Sequence, residues 1–249
     1  MKRNKKTYAQ NNSGGEYSGK QELVDAEIGL ESYNLDIVSK FQKTLQLDVN
    51  DRKLKLMDFG AGIGTLAKIW HKEYGISPIC LEIDKDLCKM LNEKGFVTFQ
   101  SLNLISNDLT AVYTSNVLEH IEDDKKSLRD IRSTMQVGGK LAIYVPALPF
   151  LFSDLDVQVG HYRRYKKKEL IVKVQESGFT VEKCYWNDCI GVAAGFSLKI
   201  LGYKGKMRIG SKKSLEIYDK FVYPISKILD RFFFKHVIGK NLFLFAKAK

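Results

Sequence analysis

The chain has 249 residues, 44% hydrophobic and 28% charged, which suits one large domain, or one domain with an insertion, around a real apolar core. Its 40 lysines and arginines outweigh 29 acids, for a formal charge of +11 that favours an anionic partner: nucleic acid, a phosphorylated substrate or a membrane surface. The longest apolar run, Cys189 to Leu201, falls short of the roughly 20 residues of a membrane helix, and Cys80, Cys88, Cys184 and Cys189 lack metal-ligand or disulfide-framework spacing, so spanning and cysteine-stapled classes are excluded.

Residues 1–20 are basic and polar without the apolar stretch of a signal peptide, and a flexible tail of a cytoplasmic protein is expected there. Between 22 and 47, Leu23, Ile28, Leu30, Tyr33, Ile37, Phe41 and Leu45 recur at helical spacing, so a helix precedes the first strand. Patterns then alternate, with strands at 54–59, 77–82, 96–100, 111–115 and 140–146 and helices at 62–74, 85–94 and 122–135. The alternation predicts an α/β fold, a mostly parallel sheet with helices on both faces. A ligand then belongs at the carboxyl ends of the strands, where Gly60, Glu82, Asn103 and Asn116 fall. Gly138 and Gly139 are expected to stop the 122–135 helix ahead of a strand carrying Leu141, Ile143 and Val145. A helix at 167–177 ends at Gly178, a strand follows at 179–186, and the last strand comes only at 241–247. Helical patterning at 189–202 and 214–235 fills the gap, too long for a plain connection. Residues 188–240 are therefore assigned to a helical insertion capping the substrate side, with 21–187 and 241–249 forming the main domain.

The segment Leu54-Lys-Leu-Met-Asp58-Phe-Gly60-Ala61-Gly62-Ile-Gly64-Thr-Leu-Ala67 carries the clearest chemistry. Glycines where a strand meets a helix allow a tight turn, a close backbone approach to a ligand and close helix packing. The helix start adds free N–H donors and a partial positive charge. Glu82, at the end of the second strand, is placed to take two ribose hydroxyls, so the site reads as one for a nucleotide-type cofactor. The window Gly62-Ile-Gly64-Thr-Leu-Ala67 matches the G-x-G-x-x-A dinucleotide fingerprint, which keeps a nicotinamide cofactor open.

The wider pattern, Asp58-x-Gly60-x-Gly62-x-Gly64, resembles the first motif of class I S-adenosylmethionine-dependent methyltransferases. Ala111-Val-Tyr-Thr-Ser115-Asn116-Val117-Leu-Glu119-His120-Ile-Glu122-Asp123 is similar to the fourth-strand motif of that family, and Met135-Gln-Val-Gly138-Gly139-Lys-Leu-Ala-Ile-Tyr-Val-Pro146 to its continuation. Gly160-His161-Tyr162-Arg163-Arg164-Tyr165, with Val145-Pro-Ala-Leu-Pro before it, resembles a bacterial subgroup associated with glycan and polyprenyl-phosphate pathways. The resemblance implies a Rossmann-like fold with a seven-stranded sheet, and S-adenosylmethionine as cofactor. It implies that Asp58, Gly60, Ala61, Gly62 and Gly64 hold the methionine part. Glu82, Ile83, Asn103, Leu104, Asn116 and Val117 complete the cofactor set. Asn103 departs from the family, where an Asp commonly accepts from the adenine amino group; its side-chain carbonyl still accepts, without charge.

Methyl transfer is an in-line displacement that needs an aligned nucleophile and, for a hydroxyl acceptor, a base. His161 leads the candidates, with His120 second, although either imidazole can instead serve the local structure. Tyr162, Arg163 and Arg164 are the substrate-binding candidates, because guanidinium groups pair bidentately with phosphate. Asp154 and Asp156 form a D-x-D pair, but no metal is expected, since no recognisable ligand set accompanies them. A basic stretch from Lys199 to Lys213, with Phe196, Ile200, Leu201 and Tyr203, suits peripheral membrane contact through 196–213. The expected function is O-methylation of a small-molecule, glycan or lipid- or phosphate-linked acceptor. Two alternatives stay open: an RNA methyltransferase, with nucleic acid the less favoured partner, and a cofactor-binding partner protein without catalysis.

Overall fold

The computed structural model describes Val24, residues 27–201 and residues 212–249. The expected tail at 1–20 and the basic stretch 202–211 lie outside the described residues. Helix α1 (Glu31–Leu45) precedes strand β1 (Leu56–Phe59). Then come α2 (Thr65–Tyr74), β2 (Ile79–Leu81), α3 (Lys85–Glu93), a short β3 (Thr98–Phe99) and β4 (Leu109–Ser115). The chain continues through α4 (Asp124–Ser133), β5 (Met135–Pro146), α5 (Asp154–Gln158), α6 (Lys167–Glu176) and β6 (Phe179–Asn187). Helix α7 (Cys189–Leu201) and α8 (Lys212–Ile217) follow, and a π-helical turn (Tyr218–Val222) joins α8 to α9 (Tyr223–Phe232) ahead of β7 (Asn241–Ala248).

The seven strands form one sheet in the order β3-β2-β1-β4-β5-β7-β6, parallel except for β7, which runs antiparallel to both neighbours. The parallel centre is buried on both faces, as its unbroken apolar strands require. One face packs Leu128 and Ile131 of α4 and Leu170 and Val174 of α6 against Val112, Ile143 and Leu244. The other packs Ile37 and Phe41 of α1 and Trp70 of α2 against Tyr113, Tyr144 and Phe243. The expected elements stand within a few residues of their observed ends, with one correction. Helix α4 already stops at Ser133, where the Thr134 hydroxyl donates to the Ile131 carbonyl, and β5 begins at Met135. The Gly138–Gly139 pair therefore lies inside β5, opposite the point where its pairing with β4 shifts register, and does not end the helix.

The segment between β6 and β7 is fixed to the body through carboxylates. Asp219 accepts from the backbone N–H groups of Ser32 (2.8 Å) and Tyr33 (2.7 Å), capping α1 from a distant part of the chain. Asp230 accepts from the N–H groups of Asp188 and Cys189 at the start of α7, while Asp188 accepts from Tyr218 and Ser226. Beneath them, Asn187 and Tyr33 both bond the Tyr144 hydroxyl, and Asn241 donates to the Tyr33 hydroxyl. Asn187 ends β6 and Asn241 starts the reversed β7, so these helices attach at the carboxyl edge of the sheet.

Candidate cofactor and acceptor site

Strand β1 delivers Asp58 and Gly60 to that edge, and β2 delivers Glu82 beside them. Gly60 and Ala61 both donate to the Leu81 carbonyl, which ties the turn to β2. The Glu82 carboxylate accepts from the N–H of Gly62 (2.8 Å) and of Asp84 (3.0 Å), so the acid braces the glycine turn as it faces the site. Gly60 has φ +81°, and a Cβ there would come within 2.4 Å of Val117 Cγ2. Gly64 has φ +85°, and its Cβ would meet Leu91 at 2.7 Å. Both positions need glycine for conformation and for space. Val117 thus packs over the turn, bringing the exit of β4 against the exit of β1.

Asp58 is buried, and burial pushes its carboxyl up to about 7; Glu82 adds to this while the Tyr113 phenol pulls the other way. A buried acid beside a second acid is a receptor for positive charge. Ile83 and Leu104 expose 82% and 65% of their surface, just past the end of β2 and at the end of the turn after β3. Asn103, in the same turn, is exposed. Asn116 holds φ +53°, which turns the chain sharply out of β4; its N–H donates to the Tyr144 carbonyl and its side chain is exposed.

Beyond Val117, the chain makes a single 3₁₀ turn, Leu118–His120, and the loop after α5 folds onto it: Tyr162 N–H donates to the Glu119 carbonyl. This contact joins both histidine candidates, with ring centroids 4.5 Å apart in edge-to-face contact. His161 Nδ1 lies 2.8 Å from Asp156, and its Nε2 3.8 Å from Glu119. Arg164 Nε also donates to Asp156 at 2.8 Å. Burial pushes Asp156 up, but His161 and Arg164 outweigh it and hold this carboxyl at about 2. Glu119 is fully buried, neither carboxylate oxygen has a hydrogen bond, and burial drives it to about 8. Burial and the neighbouring His161 push His120 down to about 4, so it is neutral at pH 7.

Arg163 and Arg164, expected as substrate grips, make internal bonds, and Nη1 of Arg164 has no hydrogen-bond partner. Arg163 pairs with Asp124 (2.9 Å) and donates to the Glu122 carbonyl, and Arg164 is turned inward onto Asp156. Internal acids occupy both, and only Tyr162 of that trio is largely exposed. The D-x-D pair also divides. Asp154 is exposed, whereas Asp156 caps α5 with Ser153 and orients His161. Glu119 and the orienting role of Asp156 escaped the sequence reading. The apposition of Glu-His and Gly-His loops needs tertiary structure, although an acid five residues before a histidine was a readable hint. Among the described residues, Glu119, His120 and His161 also bring one ligand atom each within 4.8 Å of one another, an arrangement metal sites share.

Residues 57–143 match the methyltransferase domain family. Over nearly whole chains, the fold is similar to a SAM-dependent methyltransferase of Archaeoglobus fulgidus, with 19% identity, TM-score 0.55, and coverage of 93% of this chain and 96% of that one. It is similar to geranyl diphosphate C-methyltransferase of Streptomyces coelicolor (10% identity, TM-score 0.57, 86% and 77% covered). Phosphoethanolamine N-methyltransferase 2 of Haemonchus contortus also matches, with 15% identity, TM-score 0.56, and coverage of 95% of this chain and 60% of that one. No curated protein matches the chain. Residues 57–143 thus match a methyltransferase domain, and the seven-stranded sheet has the class I methyltransferase fold.

Proposed function

We propose that the protein is an S-adenosylmethionine-dependent methyltransferase that O-methylates a small-molecule, glycan or lipid- or phosphate-linked acceptor. The observation that carries this reading is the edge where Asp58, the glycine turn and Glu82 meet, with exposed Ile83 and Leu104 alongside. The residues fit the cofactor. Asp58 would offer a buried negative site for an ammonium, Glu82 a carboxylate for the ribose, and exposed Ile83 and Leu104 apolar surface for an adenine, with Asn103 in the same turn as Leu104. When bound, the cofactor supplies a methyl group on a positively charged sulfur. The protein's own work is to hold the acceptor oxygen in line with that carbon, about 3 Å away, and to take its proton.

His161 is the base in this reading. Asp156 fixes the imidazole through Nδ1, which leaves Nε2 as the nitrogen free to accept a proton. Neutral His120 packs edge-on against it and adds no competing charge. In this reading the cluster handles protons rather than a metal, with Arg164 neutralising Asp156. Methyl transfer from labelled S-adenosylmethionine to lipid phosphates, sugar nucleotides and RNA tests the proposal. His161→Ala is expected to lower kcat by about 10²–10⁴-fold with cofactor affinity unchanged, and EDTA is expected to leave turnover intact. Near-full kcat in His161→Ala removes His161 as the base; activity lost to EDTA and restored by a divalent ion makes Glu119, His120 and His161 a metal site.

A further inference from the structure

Helical residues 212–232 are amphipathic in the inverted sense. Their buried stripe is polar: Tyr218, Asp219, Tyr223, Ser226 and Asp230 face the body and hydrogen-bond to it. Their outward stripe is apolar. Ile217, Phe221, Ile225, Ile228 and Phe232 recur at three- and four-residue spacing, all more than half exposed, with Phe232 at 79%. A water-facing helix shows the opposite arrangement, so this face is built for a medium other than water. Phe196 and Ile200 of α7, which packs on α9, are exposed as well.

The charge around the stripe identifies the medium. Residues 212–240 carry seven lysines and arginines against three acids. Two of those acids, Asp219 and Asp230, are buried and bonded to backbone N–H groups, which leaves Glu216 as the segment's exposed acid. Lys220, Arg231 and Lys235 therefore border the apolar stripe with little counter-charge, while Lys227 pairs with Asp36 of the body (2.8 Å). A second copy docked here would set this positive rim against itself. An anionic bilayer offers an apolar interior for the stripe and negative headgroups for the rim.

We propose that the outward face of 212–237 docks the protein on anionic lipid bilayers, its apolar stripe entering the headgroup boundary and its basic rim pairing with phosphates. The face lies on the segment attached at the carboxyl edge of the sheet. No described helix is long and apolar enough to cross a membrane, so the contact is peripheral. The expected contact through 196–213 shifts accordingly to 212–237, joined by the exposed end of α7. The proposal concerns a surface and does not depend on the methyl acceptor.

Flotation of the full chain with vesicles tests it, using phosphatidylcholine alone and phosphatidylcholine mixed equally with phosphatidylglycerol. The protein is expected to float with the anionic vesicles, weakly with the neutral ones, and less in high salt. The triple substitution Phe221→Ser, Ile225→Ser, Phe232→Ser is expected to cut binding by more than about ten-fold. Its melting temperature should change little, because those side chains are already more than half exposed to water. Arg231→Glu with Lys235→Glu should lose the preference for anionic vesicles. Absence of flotation with anionic vesicles, or equal flotation of the triple variant, overturns the proposal. So does light scattering that finds a dimer which the triple variant makes monomeric, for the face would then be a protein interface.

Discussion

Asp58 and Glu82 carry the cofactor edge, and each makes a distinct prediction. Glu82→Ala removes charge-assisted bonds worth about 1.5–3 kcal/mol, so calorimetry should show S-adenosylmethionine affinity down by ten-fold or more. The Gly62 N–H loses its carboxylate acceptor as well, and Glu82→Gln, which keeps one acceptor, should fall between the two. Asp58 sits at about 7 through burial and its acidic neighbour, so near neutral pH it is part-protonated. An incoming ammonium would lower that value, and binding should release protons. Titrations at pH 7 in buffers of different ionisation enthalpy should detect the release, and Asp58→Asn should lose it; a proton count the same in both proteins would contradict the role given to Asp58. These two acids and the glycines were legible in the sequence because one short turn holds them. Glu119 was not, since the isolation of its carboxylate from hydrogen-bond partners depends on the loop after α5 folding onto its turn.

At the scale of elements, alternating strand and helix periods were enough to place the sheet, because a parallel sheet buries strands as apolar runs and spaces them with amphipathic helices. The Gly138–Gly139 pair misled for a local reason: glycine ends helices and also relieves register shifts in strands, and only pairing with β4 separates the two. What fixes the inserted helices was not readable at all. Asp219 reaches 187 positions back to Ser32 to cap α1, whose own N-cap, Leu30, has no side-chain acceptor. Asp219→Ala should cost about 1–2 kcal/mol, in the range of a lost helix cap, visible as a lower denaturation midpoint. A midpoint unchanged by Asp219→Ala would mean that the segment is held by its other carboxylates alone. The outward apolar stripe looks in sequence like one more core-facing helix, and its direction becomes plain only once Tyr223, Ser226 and Asp230 are seen facing inward.

At the scale of the whole molecule, two of its buried acids, Glu119 and Asp58, are shifted far enough that stability should record them. Glu119 is raised from an ordinary 4.5 to about 8 and Asp58 from 3.8 to about 7. Their stabilising protonation is complete below the unfolded values and lost as pH rises through the folded ones. His120, lowered from 6.5 to about 4, works oppositely: its contribution is full above 6.5 and lost as pH falls through 4. Between pH 6.5 and 8 only the acids still change, so the melting temperature without ligand should fall across that window, and Glu119→Gln should flatten the slope. A slope that Glu119→Gln leaves unchanged would mean that Glu119 is ionised in the folded protein throughout the window. The most direct test of the central claim is calorimetric titration of the full chain with S-adenosylmethionine, S-adenosylhomocysteine and NAD. Saturable binding of the first two at one site, weakened by Glu82→Ala, with no heat from NAD, is the predicted result. NAD binding that Glu82→Ala abolishes, with no response to either adenosyl ligand, would contradict it and make the glycine turn a dinucleotide site.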